Sequence, residues 1–151
     1  MTPAPFVIHE RVRWGDVDYA GIIRYDAYTR FMELAESELF RSIGIAYREF
    51  VEQFDFTIPR RAMHVDFESP PRLDERIATV AYISHVGTTS LTLNFDFYGD
   101  GGVVRATGHL VLVCLPKGAT RAAPWPADFI ARLAPYRLSS EQARATVPFD
   151  A

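Results

Sequence analysis

The apolar residues that follow Tyr25 recur at steps of three and four, and this spacing predicts a long amphipathic helix. The periodic apolar positions are Tyr28, Met32, Ala35, Leu39 and Ile43. Polar and charged residues fill the opposite side, while further apolar residues widen the apolar face, so we expect other structure to wrap much of this helix. Gly44 stands where a glycine commonly follows the end of a helix. A shorter helix is predicted at about residues 45–53.

Alternation of apolar and polar residues, with many β-branched and aromatic side chains, predicts β-strands in the rest of the chain. The predicted strands span residues 6–13, 61–67, 75–86, 91–98 and 103–115. The turn sequences at 87–88 and 99–102 are short, so the later strands should pair antiparallel. A short final segment is expected at 127–133. Together these elements predict one α+β domain over residues 1–151, with an antiparallel sheet packed against the long helix.

Composition and charge narrow the class of protein. The chain has 151 residues, 48% of them hydrophobic, which is an ordinary globular composition. A formal net charge of −3 argues against nucleic acid as the main partner. No signal peptide and no membrane-spanning stretch is visible, so a soluble, cytoplasmic protein is predicted. The single cysteine, Cys114, excludes a disulfide framework, and the four histidines have no metal-ligand spacing, so no metal site is expected.

The most informative stretch is WGDVDYAGIIRY, residues 14–25, which joins the first predicted strand to the long helix. It places the carboxylates of Asp16 and Asp18 just before a helix N-terminus, where free N–H groups carry partial positive charge. Such a carboxylate either caps the helix or shapes the turn, or it acts on a carbonyl whose oxygen the N–H groups hold. The spacing alone favours the local role. A calcium loop is excluded because its fifth and twelfth positions would be Ala20 and Ala27.

The longer stretch RWGDVDYAGIIRYDAYTRFMELAE resembles the start of the 4-hydroxybenzoyl-CoA thioesterase family of hotdog-fold enzymes. The family pattern is roughly D-x-D-x-x-G-[IV]-[IV]-x-Y-x-x-Y followed by a long helix. The matching residues are Asp16, Asp18, Gly21, Ile22, Ile23, Tyr25 and Tyr28. Strands and helices come in the expected order over most of the chain. The resemblance implies a hotdog domain in which the sheet wraps around the central helix, and a homodimer or homotetramer with active sites between paired domains.

The resemblance also implies which groups perform the chemistry. Asp18 aligns with the catalytic carboxylate of the family, and the backbone N–H of Tyr25 is the expected oxyanion donor at the helix start. A thioester has a good leaving group, so a carboxylate can either attack the carbonyl and form a mixed anhydride or activate water. The sequence leaves both routes open.

Several residues are candidates for contacts with an acyl-CoA substrate. The residues expected to contact the substrate are Trp14, Gly21, Tyr28 and Glu33, and Glu33 is expected to accept a hydrogen bond from a substrate hydroxyl. The alternative is that these side chains are only solvent-exposed or packed in the core. Arg121 is the candidate for the coenzyme A phosphates, and Arg60, Arg61 and Lys117 are alternatives to it. The coenzyme A of the substrate is the only cofactor-like group expected.

The sequence therefore predicts an acyl-CoA thioesterase that uses Asp18, with an aromatic acyl group as the narrower hypothesis. Aliphatic acyl-CoA and acyl carrier protein remain alternative substrates. A hydratase or dehydratase on the same fold would need a histidine in the site. The stretch 14–25, called the Asp loop from here on, contains none. A non-catalytic acyl-binding protein is the other alternative.

Overall fold

A five-stranded antiparallel sheet packed around one long helix forms the body of the protein. The computed structural model describes residues 2–146. The main strands are β1 (Phe6–Arg11), β3 (Arg60–Phe67), β4 (Arg76–Val86), β5 (Ser90–Tyr98) and β6 (Val104–Val113), with β2 (Phe56–Thr57) and β7 (Leu115–Pro116) forming a separate two-stranded pair. The helices are α1 (Tyr28–Ser42), α2 (Tyr47–Gln53), α3 (Ala127–Arg132) and α4 (Ser140–Thr146). The strand order in the large sheet is β1-β4-β5-β6-β3.

The apolar stripe predicted from the sequence is the buried face of α1. Its buried residues are Tyr28, Phe31, Met32, Ala35, Glu36, Leu39 and Phe40. They pack against the inward side chains of the sheet, which include Leu91, Phe95 and Leu112. Gly44 has a φ of +81°, the left-handed conformation that a glycine adopts most easily after a helix end. The predicted α+β architecture with a central helix is confirmed.

The outer face of the sheet has its own small core, under α4. Val80, Tyr82 and Tyr98 pack there with Leu138 and Ala143. Asp96 is buried on this face, where it accepts hydrogen bonds of 3.2 and 3.1 Å from the Arg144 guanidinium of α4. The sequence analysis did not predict α4, because its seven residues are mostly polar and show no periodic apolar stripe.

The other differences from prediction are at element ends. The predicted helix start at Tyr25 is a separate 3-10 turn, Tyr25–Ala27, and α1 begins at Tyr28. The strand predicted to run to Arg13 ends at Arg11, because a second 3-10 turn, Trp14–Asp16, follows closely. The turn Trp14–Asp16 begins the Asp loop where it leaves β1, and the turn Tyr25–Ala27 leads from the loop into α1.

Strand β3 is an open edge of the large sheet. It pairs with β6 on one side, and it has no strand partner on the other within residues 2–146. Met63 and Phe67 on this strand are each 58% exposed, which is unusual for large apolar side chains. No helix in the described part of the chain is long and apolar enough to cross a membrane.

Candidate active site

The Asp loop is a small, tight hairpin between β1 and α1. Val17 and Ile23 form an isolated antiparallel bridge, and the Arg24 N–H donates to the Asp16 carbonyl at 2.8 Å. At the tip, the Gly21 N–H donates to the Asp18 carbonyl at 3.0 Å, which closes a four-residue turn. Gly21 has a φ of +77°, so a glycine suits this corner. The hairpin fixes the backbone of Asp18 without using all of its side chain.

The Asp18 carboxylate is exposed and only partly engaged. Its Oδ1 accepts a 2.8 Å hydrogen bond from the Ala20 N–H within the turn. No hydrogen bond or ion pair reaches Oδ2 from residues 2–146. The proposed helix cap is therefore wrong: neither the 3-10 turn nor α1 has a side-chain cap, although the turn-shaping role is present. One carboxylate oxygen is held by the turn, and the other is available to a ligand.

The Tyr25 N–H belongs to the first residue of the 3-10 turn that leads into α1. As the first residue of a helical turn, it has no acceptor inside that turn. No acceptor elsewhere in residues 2–146 takes this N–H either. The Tyr25 side chain is 80% exposed, so solvent or a ligand can reach the group. A free N–H at a helix start is the type of donor that stabilises an oxyanion.

Asp16 differs from Asp18 in nearly every respect, although only one residue separates them. It is 4% exposed, and its carboxylate is gripped by the Arg30 guanidinium of α1, with Nε donating to Oδ1 at 2.8 Å and Nη2 to Oδ2. The Arg13 N–H donates to Oδ2 at 2.8 Å. Burial would raise the pKa of Asp16, but these hydrogen bonds outweigh burial and lower it below the ordinary 3.8. Asp16 therefore ties the hairpin to α1 as an ionised structural group.

Arg30 links the hairpin to β1 as well. Its Nη1 donates to Glu10 Oε2 at 3.1 Å, and its Nη2 donates to the Arg11 carbonyl at 3.2 Å. The guanidinium carbon also lies 4.6 Å from the centre of the Phe31 ring. One arginine thus fixes the relative positions of β1, the Asp loop and the first turns of α1.

A cavity of about 690 Å³ runs along α1 on the side of the open edge strand. From α1 it is lined by Thr29, Met32, Glu33 and Glu36, a span of about two helical turns or roughly 10 Å. Most of the remaining lining is apolar or aromatic and comes from α2, β2, β3 and β6, including Phe50, Phe56, Met63 and Leu110. The cavity therefore starts at the end of α1 that follows the Tyr25 turn, and its lining suits an apolar ligand.

The structure brings some predicted site residues together and separates others. Asp18, Gly21 and Trp14, which is 82% exposed, lie on the Asp loop, and Glu33 is exposed at the cavity wall. Tyr28 lies in the core between the rings of Phe67 and Phe97, and burial raises its pKa to about 12. It is not among the cavity-lining residues.

The predicted coenzyme A contacts are spread over the surface. Arg121 and Arg61 are exposed and make no ion pair with the described residues. Lys117 lines the cavity and donates to the Val51 carbonyl at 2.7 Å. The Arg60 side chain is 40% exposed, and its guanidinium pairs with the buried Glu36, so it forms part of the cavity wall.

Comparison with known proteins defines the family. A family profile matches residues 12–133, which include the Asp loop, α1 and every strand of the large sheet except β1. The chain belongs to the thioesterase-like superfamily. This match confirms the expectation of a thioesterase of the hotdog class. The resemblance and the hotdog fold are both confirmed, the fold by the similarity of thioesterase-like chains in solved structures.

Several relatives of this thioesterase-like chain are named as acyl-CoA thioesterases. Acyl-CoA thioester hydrolase YbgC of Escherichia coli is 26% identical over 117 residues, which are 76% of this chain and 86% of that protein. The structure of BH1999 gentisyl-coenzyme A thioesterase aligns with a TM-score of 0.73 and 26% identity, covering 85% of this chain and 98% of that one. A 4-hydroxybenzoyl-CoA thioesterase variant in complex with 4-hydroxybenzoyl-CoA aligns with a TM-score of 0.77 and 20% identity, covering 85% and 98%.

The sequence analysis missed the two ion pairs that organise this site. Arg30 is one of the charged residues on the polar side of the predicted helix, and its link to Asp16 spans 14 residues. Glu36 was not singled out, although it lies beside Ala35 and four residues after Met32, within the apolar stripe. An acidic residue at an apolar helical position was the available signal for a buried polar site.

Proposed function

We propose that this protein is an acyl-CoA thioesterase in which the Asp18 carboxylate drives hydrolysis and the Tyr25 N–H stabilises the oxyanion. The family and the names of the relatives support the reaction class. The observation that carries the proposal is that one loop holds a partly free carboxylate and leads into an unpartnered helix-start N–H, four residues before the first cavity-lining residue of α1.

Two routes satisfy this geometry, and both give free acid and coenzyme A. In the first, Asp18 takes a proton from water and the water oxygen bonds to the thioester carbon. The carbon–sulfur bond then breaks, and the proton on Asp18 passes to the departing thiolate. In the second, an Asp18 oxygen bonds to that carbon and expels the thiolate, and water then hydrolyses the resulting anhydride. In either route, negative charge on the carbonyl oxygen is stabilised by the Tyr25 N–H.

An aromatic acyl group is the narrower part of the proposal. The aromatic side chains of Tyr47, Phe50 and Phe56 line the cavity. Phe50 and Phe56 are held by edge-to-face contacts with Phe129 of α3, so this wall is preorganised. Glu33 and Trp14 are proposed to contact the substrate, and Arg121 to contact the coenzyme A phosphates. A medium-length aliphatic acyl group would suit the same volume, so it is the second candidate.

The reaction is tested by free-thiol release from benzoyl-, hydroxybenzoyl-, phenylacetyl- and straight-chain acyl-CoA. We expect turnover, with aromatic acyl groups giving the highest kcat/KM because the cavity wall is aromatic. A higher kcat/KM for the aliphatic members would contradict the aromatic preference. Absence of turnover on every thioester, with intact thioester recovered from the protein, would contradict the enzyme proposal itself.

We further propose that the working unit is a homodimer or a larger homo-oligomer. The open edge of β3 presents apolar side chains beside the cavity, and Trp14, Tyr19 and Tyr25 stand exposed around the Asp loop. A second copy would pair with the free edge and shield these groups from water. The proposed location is the cytoplasm.

Light scattering after size-exclusion chromatography tests the oligomer. We expect a mass of at least twice 17.1 kDa for the wild type. Met63→Arg should shift the protein towards the monomer, because it places a charge on the open edge strand. Val103→Arg is the matched control, since Val103 is also an exposed apolar residue but lies outside β3. A wild-type monomer at micromolar concentration with full activity would contradict the proposal.

A further inference from the structure

One wall of the cavity is polar, in contrast to the apolar lining around it. The side chains of Glu36, Tyr47 and Arg60 meet there, from α1, α2 and β3 respectively. Glu36 is 1% exposed, so it is enclosed as completely as the core leucines. Ionisable groups are seldom buried to this extent unless they are paired. Nothing in the thioesterase chemistry proposed above uses these three residues.

Glu36 and Arg60 form an ion pair that leaves hydrogen-bonding capacity unused. Arg60 Nη2 donates to Glu36 Oε1, and Arg60 Nη1 donates to the Ile58 carbonyl at 3.1 Å. Among the described residues, no hydrogen bond of good geometry reaches Glu36 Oε2, although the Tyr47 hydroxyl lies close to the carboxylate. Burial raises the pKa of Glu36, and Arg60 opposes that shift. The pair is close to neutral overall, with one acceptor oxygen left over.

The Tyr47 hydroxyl is the clearest sign of a missing partner. It is fully buried, and no hydrogen bond of acceptable geometry reaches it from residues 2–146. Glu36 and Arg60 lie close enough to act on the hydroxyl as charges and as hydrogen-bonding groups, but neither meets it in good hydrogen-bond geometry. Buried polar groups in folded proteins nearly always have a hydrogen-bond partner. A partner group bound in the cavity would complete the hydrogen bonding of this hydroxyl, which its two protein neighbours leave incomplete.

The charges around the hydroxyl decide what that partner is. A carboxylate would face Glu36, and an ammonium group would face Arg60, so both are disfavoured by like-charge contact. A hydroxyl group can accept a hydrogen bond from Tyr47 and donate one to Glu36, and it carries no charge. It also fits at the end of an otherwise apolar acyl group.

We propose that Glu36, Tyr47 and Arg60 form a subsite that binds a neutral hydroxyl group carried by the acyl part of the thioester. This inference rests on the proposed thioesterase function and assigns these residues a role in substrate choice. It places the hydroxyl contact at Tyr47 and Glu36, in addition to any contact made by the exposed Glu33. Hydroxylated acyl groups gain hydrogen bonds here, whereas unsubstituted ones leave the Tyr47 hydroxyl unpaired.

The test compares matched pairs of thioesters that differ only in one hydroxyl. The pairs are 3- and 4-hydroxybenzoyl-CoA against benzoyl-CoA, and 6-hydroxyhexanoyl-CoA against hexanoyl-CoA. We expect wild-type kcat/KM to favour the hydroxylated member of at least one pair by about tenfold, equivalent to about 1.4 kcal/mol. In Tyr47→Phe that ratio should fall to near one. Tyr82→Phe should keep the wild-type ratio, because Tyr82 is a buried tyrosine on the opposite face of the sheet.

A second variant guards against misfolding of the first. The double substitution Glu36→Leu with Arg60→Met replaces the ion pair with apolar side chains, which proteins often tolerate. It should also bring the ratio to near one. Equal wild-type kcat/KM values within every pair would overturn the subsite while leaving the thioesterase function standing. A ratio that survives both substitutions would overturn it as well.

Failure of the reaction is distinguishable from failure of the subsite. If no thioester is hydrolysed, the proposed function fails, and calorimetric Kd values for the same pairs then decide the subsite. Tenfold tighter binding of the hydroxylated member, lost in Tyr47→Phe, supports it. Equal Kd values within every pair overturn it.

Discussion

Replacing Asp18 with asparagine should lower kcat/KM for thioester hydrolysis by about 10²–10⁴-fold, the usual contribution of a positioned acid–base group. Asparagine keeps the size of the side chain, and its amide oxygen can still accept the hydrogen bond from the Ala20 N–H. It cannot take a proton from water, and it is a poor nucleophile. The hairpin should therefore survive while the chemistry is lost. Steady-state kinetics on the best substrate of the panel measure this effect.

Because Asp18 is exposed, its substitution should affect activity without affecting stability. Because the side chain is outside the core, Asp18→Asn should unfold at the wild-type temperature within error. Glu38→Gln is a suitable control, since Glu38 is on α1, forms a helical ion pair with Arg41, and is not among the cavity-lining residues. Wild-type kcat/KM in Asp18→Asn would return Asp18 to a role in shaping the turn.

Asp16→Asn, in contrast to Asp18→Asn, should cause a large loss of stability. It removes the charge from a buried carboxylate that holds the Arg30 guanidinium and the Arg13 N–H. Breaking a buried ion pair from one side typically costs 3–5 kcal/mol. Arg30 is partly exposed and can recover some hydration, so we expect about 3 kcal/mol, or roughly 6–12 °C in Tm. Denaturant unfolding followed by circular dichroism measures it, and a loss below about 1 kcal/mol would contradict the structural role.

The same carboxylate makes the fold sensitive to acid. The pKa of Asp16 is lower in the folded chain than its ordinary value of 3.8, because hydrogen bonds from Arg30 and Arg13 outweigh the effect of burial. The stability from this group is therefore fully present above pH 3.8 and is lost as the pH falls through the lower, folded-state pKa. Asp16→Asn should lack this part of the acid dependence, so its stability difference from wild type should shrink below pH 3.8.

The two carboxylates of the Asp loop show how far the sequence could be interpreted. Their position before an amphipathic helix left a local role and a chemical role open, and only the resemblance to the thioesterase family favoured a site at the start of α1. The periodic apolar positions predicted α1 itself and its buried face, and alternation predicted the strands of the large sheet. Each of these patterns lies within one continuous segment, so the sequence of that segment is enough to predict the helix or strand.

What the sequence did not reveal depends on contacts between distant segments. Asp16 and Arg30 are 14 residues apart, and Glu36 and Arg60 are 24 apart, so only the folded chain brings each pair together. Tyr47 is on a short helix whose direction is set by packing of Phe50 against Phe40 and Phe56. The helix α4 is mostly polar, and it is held by the buried Asp96. No periodic pattern encodes contacts of this kind.

The most direct test of the account is free-thiol release by the wild-type protein from 4-hydroxybenzoyl-CoA, measured together with recovery of the thioester. The account predicts saturable release with a kcat in the ordinary enzymatic range of about 1–10³ s⁻¹. It also predicts stoichiometric formation of free acid and coenzyme A. Tight binding of a thioester that survives incubation intact would contradict it, and would make the protein an acyl-binding member of its family.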